Sequence, residues 1–150
     1  MNVAGRPTRT LWIAADGRGV EIIDQTRLPE AFVVVRLDTL EAMAHAIRSM
    51  QLRGAPLIGV AGAYGIALAM HADPSDAAFD AAASTLLATR PTAVNLRWAL
   101  DRMTTLLRPL SPAQRVEASY QAADQMADAD VPACPAMAAH GETLPPARAA

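Results

Sequence analysis

Residues 50–70 read MQLRGAPLIGVAGAYGIALAM. From Gly54 to Met70 there is no charge, glycine recurs at Gly59, Gly62 and Gly65, and Pro56 stands near the front. Such a run is a membrane segment, a buried helix, or a helix whose first turn holds a ligand. It is shorter than the ~20 apolar residues that a bilayer core requires and is rich in Gly and Ala, which argues against a membrane partner. Each glycine inside a helix costs about 0.5–1 kcal/mol relative to alanine, so the triplet predicts a compensating close approach by a neighbouring helix. Pro56 suits a helical first turn, where its missing N–H would have no partner anyway. The run therefore predicts a central helix from about Pro56 to Ala72.

Strand signals lie upstream. Leu11 and Ile13 alternate with Trp12 and Ala14, Asp16-Gly17 supplies a turn, and Val20 and Ile22 resume the alternation, as in a hairpin. The β-branched run Phe32–Leu37 adds a third strand. From Asp38 the period becomes helical: Leu40, Met43, Ala44, Ile47 and Met50 share a face, and Asp38 with Glu41 has capping-box spacing, giving a helix to about Leu52. Beyond the central helix, Asp73-Pro74 opens a third with Phe79, Ala83, Leu86 and Leu87 inward, broken at Arg90-Pro91-Thr92. A fourth spans about Thr92 to Leu107 on Leu96, Ala99, Leu100, Met103 and Leu107. Ser111-Pro112 starts a fifth that runs to about Asp128 on Val116, Tyr120, Ala123 and Met126 or Ala127. The expected class is α+β: a small antiparallel sheet of three strands followed by five helices. Residues 1–130 form the domain, and the proline-rich residues 131–150 read as a poorly ordered tail.

The bulk numbers agree. A chain of 150 residues can bury roughly 70% of its unfolded surface, enough for one core without metals or disulfides. It is 52% apolar but only 4% aromatic, so the core is built from small aliphatic side chains. Net charge is −2 and all 13 basic residues are arginine, which offers no basic excess for nucleic acid and no lysine for Schiff-base or Walker-type phosphate chemistry. One cysteine and an opening without an apolar signal core fit a cytoplasmic, reducing compartment.

Two stretches carry chemistry. Arg53-Gly54-Ala55-Pro56 sets an arginine and exposed amides at a helix N-terminus, where the macrodipole is positive and anions bind. The alternative is that Arg53, like Arg48, stabilises the C-terminal end of the preceding helix. Thr89-Arg90-Pro91-Thr92-Ala93 repeats the pattern, with Thr92 adding a hydroxyl as cap or ligand. Two such starts can converge on one phosphate. His45, His71, His140 and Cys134 show no metal-ligand spacing, Cys134 has nothing to lower its pKa, and Asp24-Gln25 reads as a turn or a site edge.

DQTRLP (24–29), AIRSMQLRGAPLIGVAGAYGIAL (46–68) and TRPTAVNLRWALDRM (89–103) resemble the N-terminal domain of the S-methyl-5-thioribose-1-phosphate isomerases of methionine salvage. That superfamily also holds ribose-1,5-bisphosphate isomerases and regulatory subunits of a nucleotide-exchange initiation factor. The resemblance covers about residues 10–130, and the intact RPTAVNL favours the methylthioribose branch. It implies a homodimeric, cofactor-free aldose–ketose isomerase in which Arg53, Gly54, Ala55 and Arg90 contact the phosphorylated methylthioribose. It also implies a catalytic cysteine and aspartate in a Rossmann-like C-terminal domain. The sequence ends before either, so the expectation is a truncated chain with no catalytic residue of its own and no turnover alone, Cys134 not being that cysteine. A sugar-phosphate or nucleotide-binding regulatory module is the alternative.

Overall fold

The computed structural model describes residues 2–3 and 5–142, giving the backbone alone at 2–3, 6–7 and 131–142. A two-stranded ribbon, additional to the expected three strands, pairs β1 (Asn2–Val3) with β2 (Arg6–Pro7). The expected three-stranded sheet follows: β3 (Leu11–Ile13), β4 (Val20–Ile23) and β5 (Val34–Leu37), antiparallel in the order β3-β4-β5. Leu11 faces Ile22, and Val20 lies between Ile13 and Leu37. In the connecting turn Gly17 adopts φ +71°, and the Asp16 carboxylate accepts from the Arg18 and Gly19 amides. Arg36 crosses from β5 to pair with both Asp16 and Asp38. The third strand begins at Val34, two residues later than predicted, leaving Phe32 and Val33 exposed.

Five helices complete the fold: α1 (Leu40–Arg48), α2 (Ala55–Ala72), α3 (Asp76–Thr89), α4 (Val94–Leu107) and α5 (Pro112–Glu142). The α1 cap is Thr39, whose side chain accepts from the Ala42 amide, rather than Asp38, which is taken up by Arg36. This helix stops four residues short of Leu52 because Met50 turns left-handed at φ +63°, and the Met50 and Leu52 amides close on the Ile47 and Ala46 carbonyls. Met50, assigned by periodicity to the apolar face, is consequently exposed.

Helix α2 is the axle. By length and hydropathy it is the one described helix able to cross a membrane, yet every residue from Ile58 to Met70 is buried, and it packs against all four other helices. Its uniform apolarity is that of a core helix. The glycines are the predicted close approaches: a Cβ at Gly59 would lie 2.8 Å from the Asn95 carbonyl oxygen, one at Gly62 2.5 Å from Leu96 Cδ1, and one at Gly65 2.8 Å from Leu86 Cδ2. All five residues of the predicted α4 stripe are buried.

Helix α5 departs from expectation at both ends. Its backbone runs on to Glu142, through residues predicted to lie in the tail; residues 143–150 lie outside the described residues. Near its start, Arg115 is 5% exposed, a buried charge the helical period gave no reason to expect. Its guanidinium donates to the carbonyls of Leu107, Leu110 and Pro74 and pairs with Asp76, tying the α4–α5 turn to the start of α3.

Candidate functional site

Arg53 and Arg90 meet at one cavity of about 420 Å³. Its walls are Met50, Arg53, Gly54, Ala55 and Ile58 from the entry to α2, and Arg90, Thr92, Ala93, Val94 and Asn95 from the entry to α4. The convergence follows from the packing described above. Because Gly59 lets the first turn of α4 lie against α2, the loops that precede the two helices are neighbours. All four residues expected to contact substrate (Arg53, Gly54, Ala55 and Arg90) therefore line a single cavity, and Thr92 joins them.

The two helix starts differ from those of α1 and α3. Thr39 caps α1 and Ser75 caps α3 through side-chain oxygens, and each of these helices carries an acid in its first turn, Glu41 and Asp76. Helices α2 and α4 have Gly54 and Ala93 at the capping position, no side-chain cap and no acid in the first turn. Their positive dipole ends are thus uncompensated by protein at the place where the two arginines stand. Gly54 sits at φ +117°, a conformation that side-chain-bearing residues rarely adopt, and with Ala55 it forms part of the cavity wall.

Four arginines outside the cavity, Arg9, Arg36, Arg108 and Arg115, each hold a carboxylate, whereas Arg18, Arg27, Arg48, Arg97 and Arg102 form no ion pair among the described residues. Among the described residues Arg90 is half-buried with no such partner, and Arg53 reaches only a neutral amide, its Nε 3.4 Å from Gln25 Oε1. Among the described residues no acid, cysteine or histidine enters the cavity wall. Chemically the arrangement suits holding a dianion and contributes no general acid or base.

Beside Arg53 lies a cluster around Asp24-Gln25, the stretch expected to form a turn or a site edge. Asp24 is 5% exposed, and its carboxylate accepts from the Thr26 amide at 2.9 Å, the Thr26 hydroxyl at 2.6 Å and Gln51 Nε2 at 3.0 Å. These bonds, led by the Thr26 hydroxyl, hold its pKa below the usual carboxylate value of 3.8. The only sequence signal was the Asp-x-Thr spacing, which marks a local turn; the partner at Gln51 is 27 residues away.

An apolar groove adjoins the cavity through Val94 and Asn95 and continues over Pro56, Val60, Trp98 and Met126. Trp98 is 53% exposed, with the Arg102 guanidinium 5.6 Å above its ring. Periodicity placed Trp98 outside the buried stripe and gave no sign of the groove. His45 and His71 are exposed, and among the described residues no three of His, Cys, Asp and Glu gather as metal ligands would. The Cys134 and His140 side chains lie outside the described ones.

The fold and cavity define an α+β domain that presents an arginine-lined anion pocket between two uncapped helix starts. A profile of the Initiation factor 2 subunit family matches residues 51–145, and the chain belongs to that family. It is 55% identical over 141 residues to a methylthioribose-1-phosphate isomerase of Rhodospirillum rubrum, covering 94% of this chain and 36% of that one. The solved 5-methylthioribose 1-phosphate isomerase of Pyrococcus horikoshii superposes with a TM-score of 0.75 at 33% identity, over 82% of this chain and 36% of that one. The translation initiation factor eIF-2B subunit delta from A. fulgidus gives the same TM-score at 35% identity, over 83% and 38%. The chain thus spans a little over a third of the length of each of these relatives.

Proposed function

We propose that this chain is the phosphate-gripping domain of an aldose–ketose isomerase that converts S-methyl-5-thioribose 1-phosphate to S-methyl-5-thioribulose 1-phosphate in methionine salvage. The observation that carries the reading is the convergence of Arg53 and Arg90 on one cavity between two uncapped helix starts. Each guanidinium contact to phosphate is worth about 1.5–3 kcal/mol, enough to orient a small metabolite. In this isomerisation the carbon bearing the phosphate, C1, receives a hydrogen as C2 becomes a carbonyl, so fixing the phosphate fixes the atom at which the hydrogen arrives. The change is internally redox-neutral and consumes no oxidant or reductant. Ring opening and proton movement need acid and base groups that the cavity wall does not supply, and these are assigned to the cysteine and aspartate of a Rossmann-like domain. In the cell the working enzyme is a cytoplasmic homodimer, and the chain alone binds without turnover.

Calorimetric titration of the chain with S-methyl-5-thioribose 1-phosphate tests this. Saturable binding that falls about tenfold or more in both Arg53→Ala and Arg90→Ala is expected. Binding indifferent to both substitutions would overturn the pocket assignment, and ketose formed by the chain alone would overturn the placing of the chemistry elsewhere. The acid-free, base-free cavity equally favours a second reading, a regulatory module that binds a nucleotide or sugar phosphate, and tighter binding of a nucleotide in the same titration would select it.

A further inference from the structure

Arg53 follows the end of α1 and is exposed, so by itself its long side chain would sample many rotamers. The structure gives it one tether, Gln25 Oε1, accepting from Nε at 3.4 Å. That leaves the two terminal nitrogens of the guanidinium free of the tether, and together they can form an end-on forked grip on a phosphate. Gln25 is itself held: its amide donates to the Gln51 carbonyl at 3.0 Å, while the Gln51 side chain donates to the buried Asp24 carboxylate, whose other acceptor bonds close the Thr26 turn. Residues 24–26 and 51–53 are therefore laced together by backbone and side chain, and the lacing ends on Arg53. The Gln25–Arg53 contact itself lies outside the apolar core, Gln25 being half-buried and Arg53 exposed.

Resting on the phosphate-gripping reading, we propose that Gln25 is a positioning residue for Arg53, set in place by the Asp24–Gln51 hydrogen bond, and that it fixes the Nε side of the guanidinium so that the terminal nitrogens face the cavity. A tether of this type matters only while Arg53 is present, and this separates positioning from general support of the loop.

The test is a double-mutant cycle on phosphate binding, using the whole chain and inorganic phosphate as the probe, followed by ¹H–¹⁵N NMR including the arginine Nε–H signals. Gln25→Leu should weaken phosphate binding about three- to tenfold, move the Arg53 Nε–H signal and leave the thermal midpoint close to wild type. In the Arg53→Ala background the same substitution should have no further effect. Gln25→Glu should keep the tether but hold Arg53 as an ion pair, lowering phosphate affinity with unchanged or raised stability. Equal weakening by Gln25→Leu in both backgrounds, or none in either, would overturn the positioning role while leaving the pocket intact. If the wild-type chain gives no saturable response to phosphate, the pocket reading itself fails and this inference with it.

Discussion

Replacing Gly59 by alanine probes the contact on which the site depends. The added methyl carbon would stand 2.8 Å from the Asn95 carbonyl oxygen and 3.3 Å from its carbon, and both are backbone atoms that cannot rotate away. Relief requires the first turn of α4 to retreat from α2. Overpacking of this kind costs about 1–3 kcal/mol, while alanine regains about 0.5–1 kcal/mol of helix propensity, so at the middle of both ranges the net loss is about 1 kcal/mol. For a chain of this size that lowers the thermal midpoint by about 2–4 °C. Gly62→Ala and Gly65→Ala serve as controls. Their added carbons meet Leu96 Cδ1 and Leu86 Cδ2, the ends of side chains that can shift, so each should stay within about 1 kcal/mol of wild type. Urea denaturation followed by far-UV circular dichroism measures all three. A Gly59→Ala chain as stable as wild type, or one less affected than Gly62→Ala, would refute the argument that α4 is docked through its backbone. Since Asn95 also lines the anion cavity, the same variant should weaken phosphate binding.

Two further outcomes follow from the buried polar groups. Arg115→Met should cost about 2–4 kcal/mol, because the Leu107, Leu110 and Pro74 carbonyls lose a charged donor that water cannot fully replace; chemical denaturation reads this, and a loss under 1 kcal/mol would count against it. Tyr64 donates its hydroxyl to Asp124, and burial first, then the Asp124 carboxylate, pushes its pKa above the ordinary 10.0. The folded state thus holds the phenolic proton more tightly, so the stability it contributes is complete below pH 10 and declines as pH rises beyond it. Tyr64→Phe should cost about 1 kcal/mol at neutral pH and flatten the alkaline limb of the stability profile; an unchanged limb would contradict the assignment.

Much of the architecture was written in local pattern. The alternation around Asp16-Gly17, the β-branched run ending at Leu37 and the stripe from Leu96 to Leu107 each report a period that short-range geometry enforces. The three glycines of α2 likewise announced a close neighbour, because nothing else compensates for glycine inside a helix. Boundaries were less legible. Asp38 and Thr39 are both competent caps, and the choice between them was made by Arg36, which takes Asp38 from the sheet side. Met50 left the helical face because the chain turns left-handed there, a backbone state its side chain does not advertise.

The sequence alone determined that two arginines precede two uncharged, proline-led helix starts, since both facts are local; that Thr92 does not cap α4 was decided by the structure, where Ala93 takes the capping position. That the two starts open on one cavity is a property of tertiary packing. It depends on α4 lying across α2 at Gly59, a contact between residues far apart in the chain. The bracing of Arg53 by Gln25, and of Gln25's loop by Asp24 and Gln51, was likewise decided only in three dimensions. A hydrogen bond across 27 residues leaves no periodic trace, whereas the burial of one helical face repeats with every turn.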